Sequence, residues 1–409
     1  MPGSLAMPLE YQVFDPSSCQ FPKPRVSVLP HGYEPSGSDD STHLSGRAPL
    51  AGKGLYFSRG RYALGEAYRR AGLDGNSTLL APAYHCVTML DPALALGSDV
   101  QLYPLSADLV PIISVLDQLL ERSDKSVKVL LATHFFGFVR DFSGLKQWCD
   151  RRGIVFVEDC SHTLFAEPYQ AMGTGQQGDF VASSPYKFFP SADGGWLYAP
   201  NPEKLAGASQ SAASWRAELR GIKHCFEMAR QARVGPVDIE SLDQQLASVA
   251  GKLPEAGVDQ RRIRPAQSTQ YQPDLECADA FRSSRWLINH QSVCAIISKR
   301  QANYRRWLQA VEGLPNCHAL YPELPERVVP YMFPLYIDHP MPHFHWLKQL
   351  AVPVWRWDEM AVSDCPVAQD YRLHLLHLPC HQSLNDDEMN WLVAALTKVL
   401  RASSNGVRQ

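Results

Sequence analysis

The sequence of 409 residues has no excess of charge of either sign and no long apolar run. Lys and Arg together number 39 and Asp and Glu 42, for a formal net charge of -3, which argues against a polycation that binds nucleic acid. The longest apolar stretch, Val127–Val139, contains Lys128 and His134 and is too short to span a bilayer. We therefore expect neither nucleic acid nor a membrane among the partners.

The sequence also has none of the short motifs of metal and dinucleotide sites. Its ten cysteines form no CxxC pair and its 14 histidines no HExxH spacing, so zinc chemistry is poorly supported. No GxGxxG lies between a predicted strand and a predicted helix, which argues against a dinucleotide oxidoreductase. No basic segment followed by an apolar one opens the sequence, and scattered thiols are typical of reduced proteins. We expect a cytoplasmic globular enzyme.

Short apolar runs alternate with helix-length segments between Leu79 and Val181. The runs STLLAPAY, DVQLYPL, KVLLATHFF and GIVFVED are rich in Val, Leu, Ile and aromatic residues and do not alternate in polarity. Such strands are buried on both faces, as in a parallel sheet. The segments between them, such as FSGLKQWCDRRG, have helical periodicity. The pattern predicts an α/β fold with a doubly wound or mixed sheet.

The flanking regions have different patterns. Residues 1–45 are rich in Pro, Ser, Gly and Asp without a sustained period, which predicts an irregular N-terminal arm. We expect a large domain over residues 46–265 and a smaller C-terminal domain over residues 266–409.

Within the C-terminal region the periodicity predicts one long helix from about Ala278 to Val311 and strand-like pieces at VVPYMFPLYI and VPVWRW. A closing helix is signalled by Asn385 as N-cap with Glu388 three residues later.

Three segments carry candidate chemistry. Glu158 and Asp159 end the strand IVFVED, and ligands of open α/β sheets bind beyond the carboxyl ends of strands. Lys187 lies in SSPYKFFPSADGGW, which has neither helical nor strand periodicity. Gly60 and Arg61 begin a predicted helix with Ser58 as its N-cap, and a helix N-terminus favours an anion. Taken singly, each segment also has an ordinary structural interpretation, such as a helix cap or a solvated lysine.

Together, the segments resemble the DegT/DnrJ/EryC1/StrS family. The resemblance rests on GRYALGEAYRRAGL, LLAPAYHC, HFFGF, VEDCSH and SSPYK followed by DGG, in this order and at about the family's spacing. It is clear over about residues 55–200 and thinner beyond. The family consists of pyridoxal-phosphate (PLP) enzymes of the aspartate-aminotransferase fold, fold type I. The resemblance implies a large domain with a mostly parallel seven-stranded sheet and a smaller C-terminal α+β domain.

The resemblance implies roles for three residues. Lys187 would form the Schiff base with the cofactor aldehyde and then act as general base and acid. Asp159 would pair with the pyridine nitrogen and keep it protonated. His162 would lie against the cofactor ring or its O3′ side. An equally open alternative for His162 is a first-turn helix residue bonded to a nearby carbonyl.

The resemblance also implies a phosphate site. Gly60 and Arg61 align with the family's Gly-Thr phosphate-binding pair, and the arginine is a departure that either holds phosphate by charge or points away. Ser183 and Ser184 precede Lys187 by four and three residues, and we favour Ser184 as the phosphate ligand.

An aromatic residue stacks on the cofactor in this family, and Tyr84 is the natural candidate, although the register puts Cys86 at the usual position. For Cys86, whose only neighbouring base is His85, a packed thiol is favoured over a nucleophile. His134 is interpreted as structural or as a second layer around the site.

The leading hypothesis is a PLP-dependent aminotransferase that moves an amino group from glutamate to a nucleotide-linked keto-sugar or related carbonyl in polysaccharide or secondary-metabolite biosynthesis. Fold analogy implies a homodimer. The family's Asn-x-Arg-Met motif, which reaches across the dimer interface, is not evident, and Arg285 stands near its place. Two alternatives stay open: a dehydration or elimination on the same cofactor, which retention of Lys187 disfavours, and a catalytically reduced homologue that serves as a binding or regulatory subunit.

Overall fold

The computed structural model describes residues 9–13, 21–32, 54–164, 174–231, 238–250 and 262–402. Most of the predicted arm, residues 1–45, lies outside this part of the chain. Its described residues include one strand, β1 (Glu10–Val13), because apolar positions there find partners that are distant in the sequence.

A seven-stranded sheet organises residues 54–198. Its strands are β2 (Gly54–Phe57), β3 (Ser77–Pro82), β4 (Asp99–Tyr103), β5 (Ser126–Thr133), β6 (Val155–Asp159), β7 (Phe180–Ser183) and β8 (Gly195–Tyr198), in the order β2-β8-β7-β6-β5-β3-β4. Every neighbouring pair is parallel except the two that involve β8. The mostly parallel sheet and the strands predicted within residues 77–159 are confirmed.

Both faces of this sheet are covered. Leu79, Leu131 and Val157 pack in one apolar cluster, whereas their neighbours Leu80 and Leu130 pack in another on the opposite face. Successive side chains of a strand point to opposite faces, so continuous apolar runs are what a doubly covered sheet requires. The helices of this part of the chain are α1 (Gly60–Arg70), α2 (Val87–Ala95), α3 (Leu116–Arg122), α4 (Ser143–Asp150), α5 (Trp215–Gln231) and α6 (Leu242–Ala250).

The C-terminal part is smaller and mixed. Its elements are β9 (Arg262–Pro265), α7 (Arg282–Asn289), α8 (Val293–Val311), β10 (Cys317–Ala319), β11 (Met332–Ile337), α9 (Pro340–Gln349), β12 (Met360–Ala361), α10 (Pro366–His374), β13 (Leu375–Pro379) and α11 (Asp386–Arg401). The sheet β10-β11-β13 is antiparallel. The predicted start of the closing helix is confirmed, with Asn385 and Glu388 forming a reciprocal capping box.

Two predictions for this region are wrong. The helix expected over residues 278–311 is two helices, because Ser292 caps a new N-terminus by accepting a hydrogen bond from the Ala295 N–H. The piece VPVWRW forms only an isolated bridge, between Trp355 and His377.

A third sheet links distant parts of the chain. Strand β1 pairs with β12 on one side and with β9 on the other, both antiparallel. These strands come from the predicted arm, large domain and small domain, so the predicted boundaries at residues 45 and 265 stay predictions. No helix in the described ranges is both long enough and apolar enough to cross a bilayer.

Candidate active site

A cavity of about 300 Å³ lies beyond the carboxyl ends of β5, β6 and β7. One side, here called the sheet wall, comes from these strand ends and from the start of α1. A second part of the lining, the C-terminal wall, comes from residues 331–377. Six of the seven residues predicted from the sequence line this cavity: Gly60, Arg61, Asp159, His162, Ser184 and Lys187. The two groups on which the prediction depends, Asp159 and Lys187, therefore meet in one cavity although 28 positions separate them.

The adjacent acids Glu158 and Asp159 have different surroundings. Both are buried, but alternation along β6 turns them to opposite sides. Asp159 lines the cavity, and its Oδ1 accepts a hydrogen bond of 2.9 Å from the Ser161 N–H. Its Oδ2 lies 3.5 Å from the Thr133 hydroxyl at the end of β5. Asp159 therefore presents a partly satisfied carboxylate to the cavity.

Glu158 instead binds the backbone of the loop that contains residues 175–178. Its two carboxylate oxygens accept hydrogen bonds from the N–H groups of Gly175, Gln177 and Gly178, at 2.8 to 3.0 Å, and from His134 Nε2 at 2.8 Å. Burial by itself raises the pKa of Glu158, but these donors outweigh burial and the pKa lies below its usual value. Glu158 is saturated and has a structural role.

His134 is part of the same structural network. Its Nδ1 accepts a hydrogen bond of 3.0 Å from the Arg140 N–H, which leaves Nε2–H to donate to Glu158. Cys160 lies nearby, and the three possible ligand atoms of these residues are within 4.8 Å of one another. Burial raises the pKa of the Cys160 thiol well above its usual value, and the His134 and Glu158 atoms already have partners. This cluster is thus a hydrogen-bond network and a poor metal site.

Lys187 ends a short 3-10 turn, Pro185–Lys187, just after β7. Its Nζ lies 5.2 Å from the centre of the Tyr331 ring on the C-terminal wall. Its carbonyl accepts a hydrogen bond of 2.9 Å from Arg300, whose guanidinium also donates to the carbonyls of Pro330 and Tyr331. Arg300 therefore connects the turn that carries Lys187 to the segment that carries Tyr331.

Helix α1 begins at the cavity without a side-chain cap. Arg59, rather than the predicted Ser58, is the N-cap, because the Ser58 N–H donates to the Ala278 carbonyl and the Ser58 carbonyl accepts from the Gly194 N–H. A Cβ on Gly60 would lie 2.1 Å from Ser184 Oγ, so any other residue at this position would displace the Ser184 hydroxyl. The helix start, Gly60 and the Ser184 hydroxyl together form a small concave site that suits an anion.

Arg61 lies at the edge of this site. Its guanidinium donates to the Gln270 carbonyl at 2.6 Å and to the Gln270 side chain at 3.1 Å. Ser184 Oγ lies 3.1 Å from Ser161 Oγ, which also lines the cavity. Sequence reasoning missed Ser161, although its position two residues after Asp159 was a usable signal.

His162 lies in the cavity as a neutral imidazole. The Phe136 N–H donates to its Nδ1 at 3.4 Å, so the ring proton is on Nε2. Burial, and then the charge of Lys187, lower the pKa of His162 well below its usual value. Its ring stacks on Tyr331 with centres 4.5 Å apart.

Tyr84 lies behind the cavity instead of lining it. The side chain is fully buried, its ring packs against Trp357 at 4.7 Å, and its hydroxyl lies 2.8 Å from His377 Nε2. Cys86 lines the cavity in its stead. Neighbouring His85 is occupied elsewhere: its Nδ1 is bonded to the carbonyls of Pro82 and Ala83 and its Nε2 to the Ala361 N–H.

The C-terminal wall is the part that sequence reasoning missed. It consists of Tyr331, Met332, Trp355, Trp357 and His377. No motif marks these residues, and the only signal is the density of aromatic residues in VPVWRW. Arg285, considered from the sequence as a contact to a neighbouring site, pairs with Asp279 and lies over the Tyr56 ring, away from this cavity.

Known proteins resemble this chain in part of its sequence and in its fold. Residues 52–214 match the DegT/DnrJ/EryC1/StrS aminotransferase family. A curated relative, the "putative L-glutamine:3-amino-2,3-dideoxy-scyllo-inosose aminotransferase" of Micromonospora echinospora, is 24% identical over 227 residues. That alignment covers 52% of this chain and 53% of the relative, so the chain matches about half the length of the relative.

Solved structures align with a larger share of the chain than the curated relative does. The PLP form of the putative sugar aminotransferase Spr1654 from Streptococcus pneumoniae aligns with 95% of this chain and 99% of its own, at 14% identity and a TM-score of 0.56. PseC of Helicobacter pylori, an aminotransferase involved in the biosynthesis of pseudoaminic acid, aligns over 85% and 86%, at 13% identity and a TM-score of 0.56. The fold is thus that of PLP-dependent transferases of fold type I. The match to the DegT/DnrJ/EryC1/StrS aminotransferase family covers residues 52–214, which is less than half of the chain.

Proposed function

We propose that this protein is a PLP-dependent aminotransferase that transfers an amino group to a keto-sugar, nucleotide-linked or free, or to a related carbonyl. One observation carries the proposal: a lysine amine, a buried carboxylate and an uncapped helix start line one cavity. The relative named as a glutamine:inosose aminotransferase supports the reaction class and makes L-glutamine a second donor to test beside L-glutamate.

The residues fit pyridoxal phosphate. The helix start with Gly60 and Ser184 matches a phosphate group, and the Cβ that any other residue would bring to position 60 would fill this cradle. Asp159 offers the carboxylate that a protonated pyridine nitrogen needs, and Lys187 offers the amine for the aldehyde. When bound, the cofactor supplies an electron sink for the carbanion at the substrate Cα.

Each of these residues would then have a separate role in the reaction. Lys187 Nζ would take the proton from the substrate Cα and return it to the carbon on the other side of the amine nitrogen, as general base and then general acid. Asp159 would hold a proton on the ring nitrogen by its charge. His162, with Nδ1 engaged by the Phe136 N–H, would direct its Nε2–H toward the bound cofactor. The aromatic residues of the C-terminal wall would exclude water from the reacting atoms.

We include a homodimer in this proposal. Helix α5 exposes an apolar stripe, with 68% of Trp215, 55% of Leu219, 39% of Ile222 and 72% of Phe226 accessible. These positions are four, three and four residues apart and share one helix face. Exposed apolar patches of this kind mark protein interfaces. Phe226→Glu combined with Leu219→Glu should convert a dimer to a monomer in sedimentation, and a wild-type monomer would contradict this part of the proposal.

The reaction type can be tested in two steps. The purified protein incubated with pyridoxal phosphate should gain a visible absorption band, and borohydride should then fix the cofactor to the peptide that contains Lys187. Added L-glutamate or L-glutamine should convert the visible band to the pyridoxamine form. A protein that stays colourless with added cofactor contradicts the proposal. A coloured protein that never forms pyridoxamine phosphate with amino donors favours the alternative of dehydration or elimination.

The cytoplasmic location and the place of the reaction in polysaccharide or secondary-metabolite biosynthesis belong to the same proposal. They rest on composition and on the family, and the identity of the acceptor decides between the two kinds of biosynthesis.

A further inference from the structure

Trp355 and His377 lie side by side on the C-terminal wall of the cavity. The Trp355 N–H donates to the His377 carbonyl at 3.1 Å and the His377 N–H donates to the Trp355 carbonyl at 2.6 Å. Two residues that exchange both bonds in an antiparallel bridge carry their side chains on the same face, with Cβ atoms about 5 Å apart. Both side chains line the cavity.

The backbone under this pair is fixed. His377 belongs to β13, which is paired with β11. Arg356, next to Trp355, is buried: its guanidinium pairs with Asp358, donates to the Leu373 carbonyl at 3.2 Å and lies 3.9 Å from the centre of the Phe344 ring. The Trp355 side chain is nevertheless 43% exposed. A large aromatic ring held at a cavity by a rigid backbone, yet left partly uncovered, is suited to stack on a ligand.

His377 supplies a polar atom beside that ring. The side chain is 3% exposed, and Nε2 is taken by the Tyr84 hydroxyl at 2.8 Å. In the described part of the chain, no side chain or backbone group hydrogen-bonds to its other nitrogen, Nδ1. Burial, and then the charge of Lys187, lower the pKa of His377 to about 3, so the imidazole is neutral near pH 7. Nδ1 is thus a neutral hydrogen-bonding atom on a side chain that lines the cavity.

We infer that Trp355 and His377 are the residues that recognise the acceptor. The apolar face of a six-membered ring would stack on Trp355, and a ring hydroxyl would hydrogen-bond to His377 Nδ1. The inference rests on the proposed aminotransferase function and deepens it by assigning the two residues that would bind the ring of an uncharged, polyhydroxylated acceptor, such as a keto-cyclitol or the sugar of a keto-sugar nucleotide.

Two further observations support an uncharged ring at this wall. Among the described residues that line the cavity, Asp159 is the only carboxylate, and the arginines Arg59 and Arg61 belong to the start of α1. The C-terminal wall therefore contributes no charged side chain to the described lining. The amino donor has no ring, so it gains nothing from Trp355.

The test compares two half-reactions of the holoenzyme. The first is conversion to the pyridoxamine form by L-glutamate or L-glutamine, and its reversal by 2-oxoglutarate. The second is return to the pyridoxal form by scyllo-inosose or by a UDP-linked 4-keto-6-deoxyhexose. Trp355→Leu and His377→Asn should each lower kcat/KM for the ring ketones about fivefold, mainly through KM, because a stacking contact or a hydrogen bond is worth about 1 kcal/mol. Both variants should change the rate with 2-oxoglutarate less than twofold.

Two variants serve as controls. Trp355→Phe keeps a flat ring and should restore most of the activity that Trp355→Leu loses. His318→Asn changes an exposed histidine that stacks on Tyr336 outside the cavity, and it should leave both half-reactions unchanged. Unfolding midpoints of all variants show whether a loss comes from stability.

The outcomes separate the two proposals. If the wild type fails the donor half-reaction, the proposed function itself is wrong. If the wild type reacts with donors and 2-oxoglutarate but with neither ring ketone, the inference is overturned. It is also overturned if Trp355→Leu and His377→Asn lose activity equally toward 2-oxoglutarate and the ring ketones, which would show a purely structural role.

Discussion

The two walls of the cavity differ in how they are built. The sheet wall consists of strand ends and a helix start, and its polar groups, Asp159, Lys187 and Ser184, lie within 30 residues of one another in the sequence. The C-terminal wall is aromatic, and its residues 331–377 come from loops and a small antiparallel sheet. Under the proposed function and the inferred acceptor site, the reacting groups lie on the sheet wall and the groups that bind the acceptor lie on the C-terminal wall, so substitutions in the two walls test different proposals.

The largest effect is expected from removing the amine of Lys187 from the sheet wall. Lys187→Ala should lower the rate of amine transfer about 10²- to 10⁴-fold, because the group that moves the proton is lost. Single-turnover absorbance with L-glutamate measures this rate, and the unfolding curve should stay close to that of the wild type. A variant with more than a hundredth of wild-type activity would show that another residue moves the proton.

The two acids of β6, Glu158 and Asp159, should differ in their effects on stability and on activity. Glu158→Gln should lower the free energy of unfolding by about 3 kcal/mol, since four donors lose a buried carboxylate. Asp159→Asn should leave this free energy nearly unchanged and lower amine transfer at least about 100-fold. Urea unfolding of both variants measures the change in stability, and single-turnover rates measure the change in amine transfer. Similar effects of the two substitutions would contradict the assigned division of roles.

Acid should destabilise the C-terminal part of the fold through two buried histidines, His377 and His381. Burial lowers the pKa of His377 and that of His381 to about 3, while an unfolded histidine titrates near 6.5. A lowered pKa means that the unfolded chain takes up protons below pH 6.5 and the folded chain does not. Stability is therefore complete above about pH 6.5 and falls as the pH drops toward 3, by about 1.4 kcal/mol per histidine at pH 5.5.

His381→Gln isolates one of these contributions. Between pH 7.5 and pH 5.5 the free energy of unfolding of this variant should fall by about 1.4 kcal/mol less than that of the wild type. Urea unfolding at the two pH values gives both numbers. An equal fall in the two proteins would show that His381 takes up its proton in the folded state.

The smallest effect is expected far from both walls. Asn385→Ala removes the capping box of α11, in which the Asn385 side chain accepts from the Glu388 N–H at 2.9 Å and the Glu388 carboxylate accepts from the Asn385 N–H at 2.9 Å. The free energy of unfolding should fall by about 1 kcal/mol, with cofactor binding unchanged. A loss of cofactor affinity in this variant would show that α11 is coupled to the cavity.

Local signals predicted the sheet wall well. The apolar runs around Leu79, Leu130 and Val157 indicated strands buried on both faces, and the carboxylate of Asp159 followed from its place at a strand end. The N-cap of α1 was predicted at Ser58 and lies at Arg59, because Ser58 is engaged by backbone partners from residues 194 and 278. Contacts that are remote in the sequence override a local capping preference.

Remote contacts also explain the other differences. Tyr84 has the right residue type for a cofactor contact, but Trp357 and His377 pack around it and hold it behind the cavity. The break between α7 and α8 depends on whether Ser292 caps a new helix or continues the old one, and helical periodicity is the same on both sides of it. The C-terminal wall had no motif at all.

Local sequence patterns were enough to predict the elements of the sheet and the order of the family motifs. They also singled out the amine of Lys187 and the carboxylate of Asp159. These features depend on neighbours in the chain: the side-chain period of a strand and the residue at its end. Only the tertiary structure decided which side chains face the cavity, that Glu158 is saturated while Asp159 is open, and that Trp355 and His377 stand next to each other. Those properties depend on packing between segments that are far apart in the chain, and no local pattern encodes such distances.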